Sequence, residues 1–187
     1  MLLDFGLGII SSIMVSRIFD IPLSWWFVLL GIGFAIIVDL DFLVYQIRAG
    51  DPKMAYQHRE LLHYPLLYIP LGALILSFFS VPYAMLFIFS SLFHFLHDSI
   101  GIGWGVQWLY PFNTDHYNFF YRYSAPSKPP LPFKAFRIWK HYELPALAEK
   151  HGDPDWIKNI YFKWHPYAIA ELLGFLIALA VLYMVVK

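Results

Sequence analysis

No cysteine occurs among the 187 residues. That excludes a disulfide framework and a thiolate metal centre, so a transition metal could be held here only by His, Asp or Glu. Charge is also scarce. Asp, Glu, Lys and Arg make up 14% of the chain, where a soluble globule carries about a quarter. Apolar residues fill the gap, at 59% of the sequence and a mean hydropathy of +0.56, which points to lipid. The net charge is zero, so the basic surplus that holds nucleic acid is missing. No positive charge precedes the apolar run that begins Met1-Leu2-Leu3-Asp4, so no cleavable signal peptide is expected. Internal repeats and low-complexity tracts are lacking as well.

Five apolar stretches are present, at residues 2–15, 21–38, 64–80, 82–104 and 167–186. A bilayer core needs about 20 apolar residues per helix, so the first is short for a span. Trp25 and Trp26 near the start of the second fit interfacial anchoring. Ser80-Val81-Pro82 reads as a tight turn that folds the third and fourth stretches into an antiparallel helical hairpin. The predicted fold is all-α: one membrane domain over residues 1–187, a polytopic helical bundle of about five spans.

Residues 107–165 are predicted to form a cytoplasmic interfacial segment between spans four and five. Within it, residues 133–150 read as a helix interrupted at Pro145 and closed by Gly152. Asp153 then reads as an N-cap with Pro154 at the first helical position. Trp156, Ile157, Ile160, Tyr161 and Trp164 share one face of the helix that follows, which is expected to lie among the headgroups.

Basic residues set the expected orientation, because loops rich in Lys and Arg stay in the cytoplasm. Arg48, Lys53 and Arg59 lie between stretches two and three. Arg122, Lys128, Lys134, Arg137, Lys140, Lys150, Lys158 and Lys163 lie between stretches four and five, leaving Arg17 and Lys187 for the other side. In a five-span, multi-pass cell-membrane protein this puts the N-terminus and both basic loops in the cytoplasm.

Three polar motifs interrupt the apolar pattern: Asp39 and Asp41 in VDLDF, His58, Arg59, Glu60 and His63 in HRELLH, and His94, His97 and Asp98 in HFLHDS. Counted from Val81, His63 is 18 residues before the turn and Asp98 is 17 after it. At 1.5 Å per residue, both sit roughly 26 Å from the turn, near one edge of the hydrocarbon core. Asp39 and Asp41 end the neighbouring stretch at the same face. His94 and Asp98 are spaced i, i+4 and share a helix face. Ionisable groups at such depth are costly unless paired, hydrated or metal-bound.

Each motif also has a structural reading. The two aspartates could be solvated helix ends, and His94 with Asp98 could be a pair bracing helices. His97 points elsewhere on its helix. Glu171 is expected to reach back to the interface, and His116, His141, His151 and His165 to be solvated. GIGWG at Gly101 to Gly105 lacks the nucleotide-loop spacing and reads as a segment that ends the helix and lets backbones approach.

In their order, VDLD, HRELLH and HFLHDSIGIGWGVQWLYPF resemble the YdjM-like family of inner-membrane proteins, described as membrane-bound metal-dependent hydrolases. The family pattern is Pro-Asp-x-Asp, then His-Arg-Gly-x-Thr-His-Ser, then His-x-x-x-Asp, a Gly and a terminal Pro-Phe. The likeness spans residues 31–112. Val38 stands where the pattern has Pro, Glu60 and Leu62 stand for Gly and Thr, and Tyr64 for Ser. No His lies in the first apolar stretch, where Asp4 is the nearest polar group. The resemblance implies metal-site roles for Asp39, Asp41, His58, His63, His94 and Asp98, with Arg59 beside them.

Three functions are compatible with these residues. The first is metal-dependent hydrolysis at the cytoplasmic membrane face, with zinc the best match among divalent ions. His58, His63, His94 and Asp98 would be ligands, and a bound water's pKa would fall toward about 7. Asp39 and Asp41 would hold a second metal or orient a ligand histidine. Arg59 would clamp an anionic group, and the depth favours a phospholipid or other amphipathic phosphoester. The second is a di-iron oxidase or hydroxylase, suggested by His-x4-His, by His-x2-His and by the Glu60-x-x-His63 step. The third is a transporter or a structural membrane protein. The bilayer is the expected partner in all three, and the sequence sets no oligomeric state.

Overall fold

The structure is a computed structural model and describes residues 2–47, 59 and 62–187. Seven α-helices run in chain order: α1 Leu2–Ile18, α2 Trp25–Ile36, α3 Leu40–Ile47, α4 Pro65–Ser77, α5 Val81–Asp98, α6 Leu144–His151 and α7 Pro166–Val186. Three strands lie between α5 and α6: β1 Ile100–Gly101, β2 His116–Arg122 and β3 Phe136–Trp139. The chain divides into two compact units. The first comprises Met1–Val38, Leu67–His94 and Pro166–Lys187, and the second Asp39–Leu66 and Phe95–His165.

The first unit is helical, and small residues set its packing. Ser24 caps α2 by accepting a hydrogen bond from the Phe27 amide at 3.2 Å. A Cβ on Gly8 would meet the Ile32 backbone at 2.5 Å, and one on Gly31 would collide with Ser12 Oγ. Glycine at both positions therefore lets α1 and α2 touch backbone to backbone. Ser12 Oγ donates within its own helix to Gly8 O at 2.9 Å and across to Phe27 O at 3.2 Å. Ile9, Ile13, Val28, Ala178 and Leu182 form the core where α1, α2 and α7 meet, and Val15, Phe27 and Leu86 continue it. The outer faces stay apolar: Trp26, Leu29, Leu74, Ile75, Ile177 and Met184 are all exposed, the kind of surface that meets a membrane or another protein.

Two helical stretches among the described residues are long and apolar enough to cross a bilayer: Trp25–Tyr45 and Pro166–Val186, each 21 residues, with hydropathies of 2.4 and 2.5. This overturns the expected five-span bundle. α1 has 17 residues and α4 has 13. At 1.5 Å per residue, 13 residues reach about 20 Å, short of a core about 30 Å thick. α5 is 18 residues long but ends in His94-Phe95-Leu96-His97-Asp98. Its length is there; its apolar run is not.

The all-α expectation fails in the second unit, which carries a three-stranded sheet in the order β1-β2-β3. β1 pairs parallel with β2, and β2 antiparallel with β3 in the register His116↔Trp139, Tyr117↔Ile138, Asn118↔Arg137 and Phe119↔Phe136. Residues 136–139, expected in a helix, are thus a strand, and helix begins at Leu144. The sheet packs against α6 through Trp104, Leu144, Trp139 and Leu147. Asp153 does act as a cap-like acceptor, taking hydrogen bonds from the Asp155 amide at 3.0 Å and from Tyr123 and Asn159 side chains. The helical turns after it run through Lys158–Phe162 in π form.

Candidate metal centre

Three pieces of chain carry most of the site. The turn Ile37–Asp39 and the start of α3 present Asp39 and Asp41. The stretch before α4 presents His63, and Pro65 opens that helix. The end of α5 presents Asp98. His63 is fully buried and has a carboxylate at each ring nitrogen: Asp41 Oδ2 lies 2.6 Å from Nδ1 and Asp98 Oδ2 2.9 Å from Nε2. Asp39 Oδ1 is 4.0 Å from Nε2. Burial pushes the His63 pKa down, but hydrogen bonds to Asp41 and Asp98 and the charges of both outweigh it, leaving it raised to about 9.

Arg59 is buried and committed inward. Nη2 stands 3.0 Å from Asp98 Oδ2. Nη1 donates to Asp98 O at 2.9 Å and Gly105 O at 3.5 Å, and Nη2 to Ile102 O at 3.4 Å. Gly101, Gly103 and Gly105 all have positive φ, a conformation glycine adopts without strain. A Cβ on Gly103 would meet Arg59 Nη1 at 2.6 Å. The GIGWG segment therefore ends the helix and wraps its backbone around the guanidinium.

α5 runs unbroken from Val81 to Asp98, which fixes His94 one turn before Asp98. His94 Nδ1 lies 3.2 Å from Asp4 Oδ1, and both side chains are buried. Asp39, His63, His94 and Asp98 each offer one ligand atom, and these atoms all lie within 4.8 Å of one another. Imidazole and carboxylate donors at such separations suit a borderline divalent ion. Asp41 and Asp4 both stand at a histidine Nδ1, where a carboxylate fixes tautomer and ring orientation.

The site residues expected from sequence thus divide. His63, His94, Asp98 and Asp39 come together as possible ligands. Asp41 joins them through His63, with its Oδ2 also 3.4 Å from the Leu62 amide. Arg59 is adjacent, but its Nη1 and Nη2 donors are taken by Asp98 and loop carbonyls. His58 and Glu60 lie outside the described residues, and the Glu-x-x-His step with them. His97 is half-buried and outside the group. Glu171 is buried rather than at an interface, and His116 and His151 are buried rather than solvated. His151 Nδ1 donates to the Pro129 carbonyl at 2.8 Å. Asp4, named from sequence only as the nearest polar group in the first apolar stretch and given no role there, stands beside His94; its signal is a lone carboxylate in an apolar helix, which is costly unless partnered.

These features define a class: a helical membrane protein with a buried imidazole–carboxylate cluster at a helix end. Residues 4–187 match the family of the YdjM inner membrane protein, and the chain belongs to that family. No curated protein and no solved structure matches it.

Proposed function

We propose that the protein is a membrane-bound, metal-dependent hydrolase acting on a phosphoester or lipid-like substrate at the cytoplasmic face of the inner membrane. The observation that carries this reading is the convergence of Asp39, His63, His94 and Asp98 within 4.8 Å. Two imidazoles and two carboxylates favour zinc. When bound, such an ion would act as a Lewis acid and lower the pKa of a water toward about 7.

The chain's own residues set up that chemistry. Asp41 holds the Nδ1–H of His63 and leaves Nε2 directed at Asp98 and Asp39. Asp4 lies at ion-pair distance, 3.2 Å, from His94 Nδ1. Arg59 is a positioning residue: it fixes the Asp98 carboxylate and the glycine loop rather than clamping the substrate. Asp39 is the most open of the four, its side chain 35% exposed, so substrate and water enter there. Beside it Leu40, Leu43 and Ile47 are exposed, which suits an amphipathic substrate. Arg48, Lys53, Lys158 and Lys163 lie near the two ends of the stretch between the candidate spans, which supports a multi-pass protein with those basic ends in the cytoplasm.

The test is phosphate or headgroup release from short-chain phospholipids by purified protein in detergent. Turnover is expected with zinc, to be lost on chelation and restored by added metal, and to be absent from Asp98→Asn. Turnover indifferent to chelator, or none from metal-loaded protein on phosphomonoester and phosphodiester lipids, would refute the reading.

A further inference from the structure

A different set of donors converges on the sheet of the second unit, and strand pairing explains it. Val106 and Tyr117 form an antiparallel bridge, closed by hydrogen bonds of 3.1 and 2.9 Å. The next pair outward is Gln107 opposite His116. Opposed residues of a ladder share a face, so Gln107 and His116 lie together. On the other edge of β2, His116 pairs with Trp139; Lys140 stays extended, and His141 opens the 3-10 turn His141–Glu143 just beyond β3.

Their polar atoms meet. Gln107 Nε2 lies 2.8 Å from His116 Nε2 and 3.4 Å from His141 Nδ1, and the two imidazole nitrogens are 3.3 Å apart. The rings tilt by only 24° with centroids 5.6 Å apart. The nitrogens are closer than the centroids, so they face each other across the gap. Nitrogen ligands about 2.0–2.1 Å from zinc in a tetrahedron stand roughly 3.4 Å apart. The three edges here fall close to that value. A half-turn of the Gln107 amide exchanges Nε2 for Oε1 at the same position, giving two nitrogens and one oxygen.

We propose that His116 Nε2, His141 Nδ1 and the Gln107 side-chain oxygen form a second metal site, for a borderline divalent transition ion with a fourth position left open. His116 is buried and His141 exposed, so the ion enters from the His141 side. Arg59 faces His116 with positive charge and Asp115 with negative. Arg59 is itself ion-paired to Asp98, which limits its repulsion of a cation. The donor set is distinct from the hydrolase centre and does not depend on it.

Cobalt(II) is the probe, because tetrahedral nitrogen and oxygen ligation gives it visible absorption. The full chain in detergent is titrated as wild type, His141→Ala, Gln107→Glu and the double variant His94→Ala, Asp98→Ala. One cobalt equivalent is expected to vanish in His141→Ala, whose exposed site spares the fold, and to persist in the double variant. Gln107→Glu replaces a neutral oxygen with an anionic one and should tighten that equivalent about tenfold or more. Cobalt stoichiometry and spectrum unchanged by His141→Ala would overturn the site. Loss of the equivalent in the double variant alone would assign cobalt to the hydrolase centre and overturn it equally.

Discussion

The two units of this chain solve the problem of buried polarity in opposite ways. The first relies mainly on hydroxyls: Ser12 bonds to carbonyls one turn away and on the next helix, and a single buried pair, Asp4 with His94, is drawn from distant parts of the sequence among its described ion pairs. Its outer faces carry exposed Trp26, Leu74 and Ile177. The second unit instead gathers charge from distant parts of the sequence: Asp41, Arg59, His63 and Asp98 form one chain of ion pairs and hydrogen bonds. Buried charges are tolerated when each has a partner and costly when one partner is removed. The helical unit should therefore respond to changes of volume, and the polar unit to changes of charge.

Asp98→Asn should have the largest effect, because it deprives Arg59 and His63 of an anion at once. A loss of about 3–5 kcal/mol is expected, read by thermal unfolding in detergent, together with loss of bound metal. A loss below about 1 kcal/mol would break the contrast between the units. Next come Asp41→Asn and Asp4→Asn, which keep the ligands but remove the groups that orient them. Metal affinity should fall about 10–100-fold in each, measured by competition with a chromophoric chelator.

Gly31→Val should cost about 1–3 kcal/mol by overpacking the α1–α2 contact and leave the metal Kd unchanged. Gly103→Ala should cost a similar amount, about 1–3 kcal/mol from backbone strain, but should also weaken metal binding, since Arg59 must move. Coincident effects of these two glycine variants on Kd would erase the distinction. Leu74→Val, on an exposed apolar face, should stay within about 0.5 kcal/mol of wild type.

Sequence patterns carried some of this architecture and missed the rest for identifiable reasons. Residues 167–186 are read as a membrane-length helix, and the helix runs Pro166–Val186, because the signal is local and continuous. The meeting of His63 with Asp98 is legible because a hairpin of counted residues places both at one depth. The strand at residues 136–139 is not legible, because its partner is residues 116–119 and no local periodicity encodes a non-local ladder. The five-span count fails because apolar composition continues past helix ends: residues 64–80 are apolar throughout, yet α4 covers Pro65–Ser77. The motif VDLDF leaves Asp41 either holding a metal or orienting a ligand histidine, and the 2.6 Å contact with His63 Nδ1 favours the second. Gln107, His116 and His141 have no motif spacing because strand register, not sequence distance, brings them together.

Metal content of the purified protein decides the central claim, that Asp39, His63, His94 and Asp98 close around a divalent ion. Elemental analysis of the wild type beside His94→Ala, Asp98→Ala should show one equivalent fewer in the double variant. Equal metal in both proteins, with the variant folded, would contradict the account.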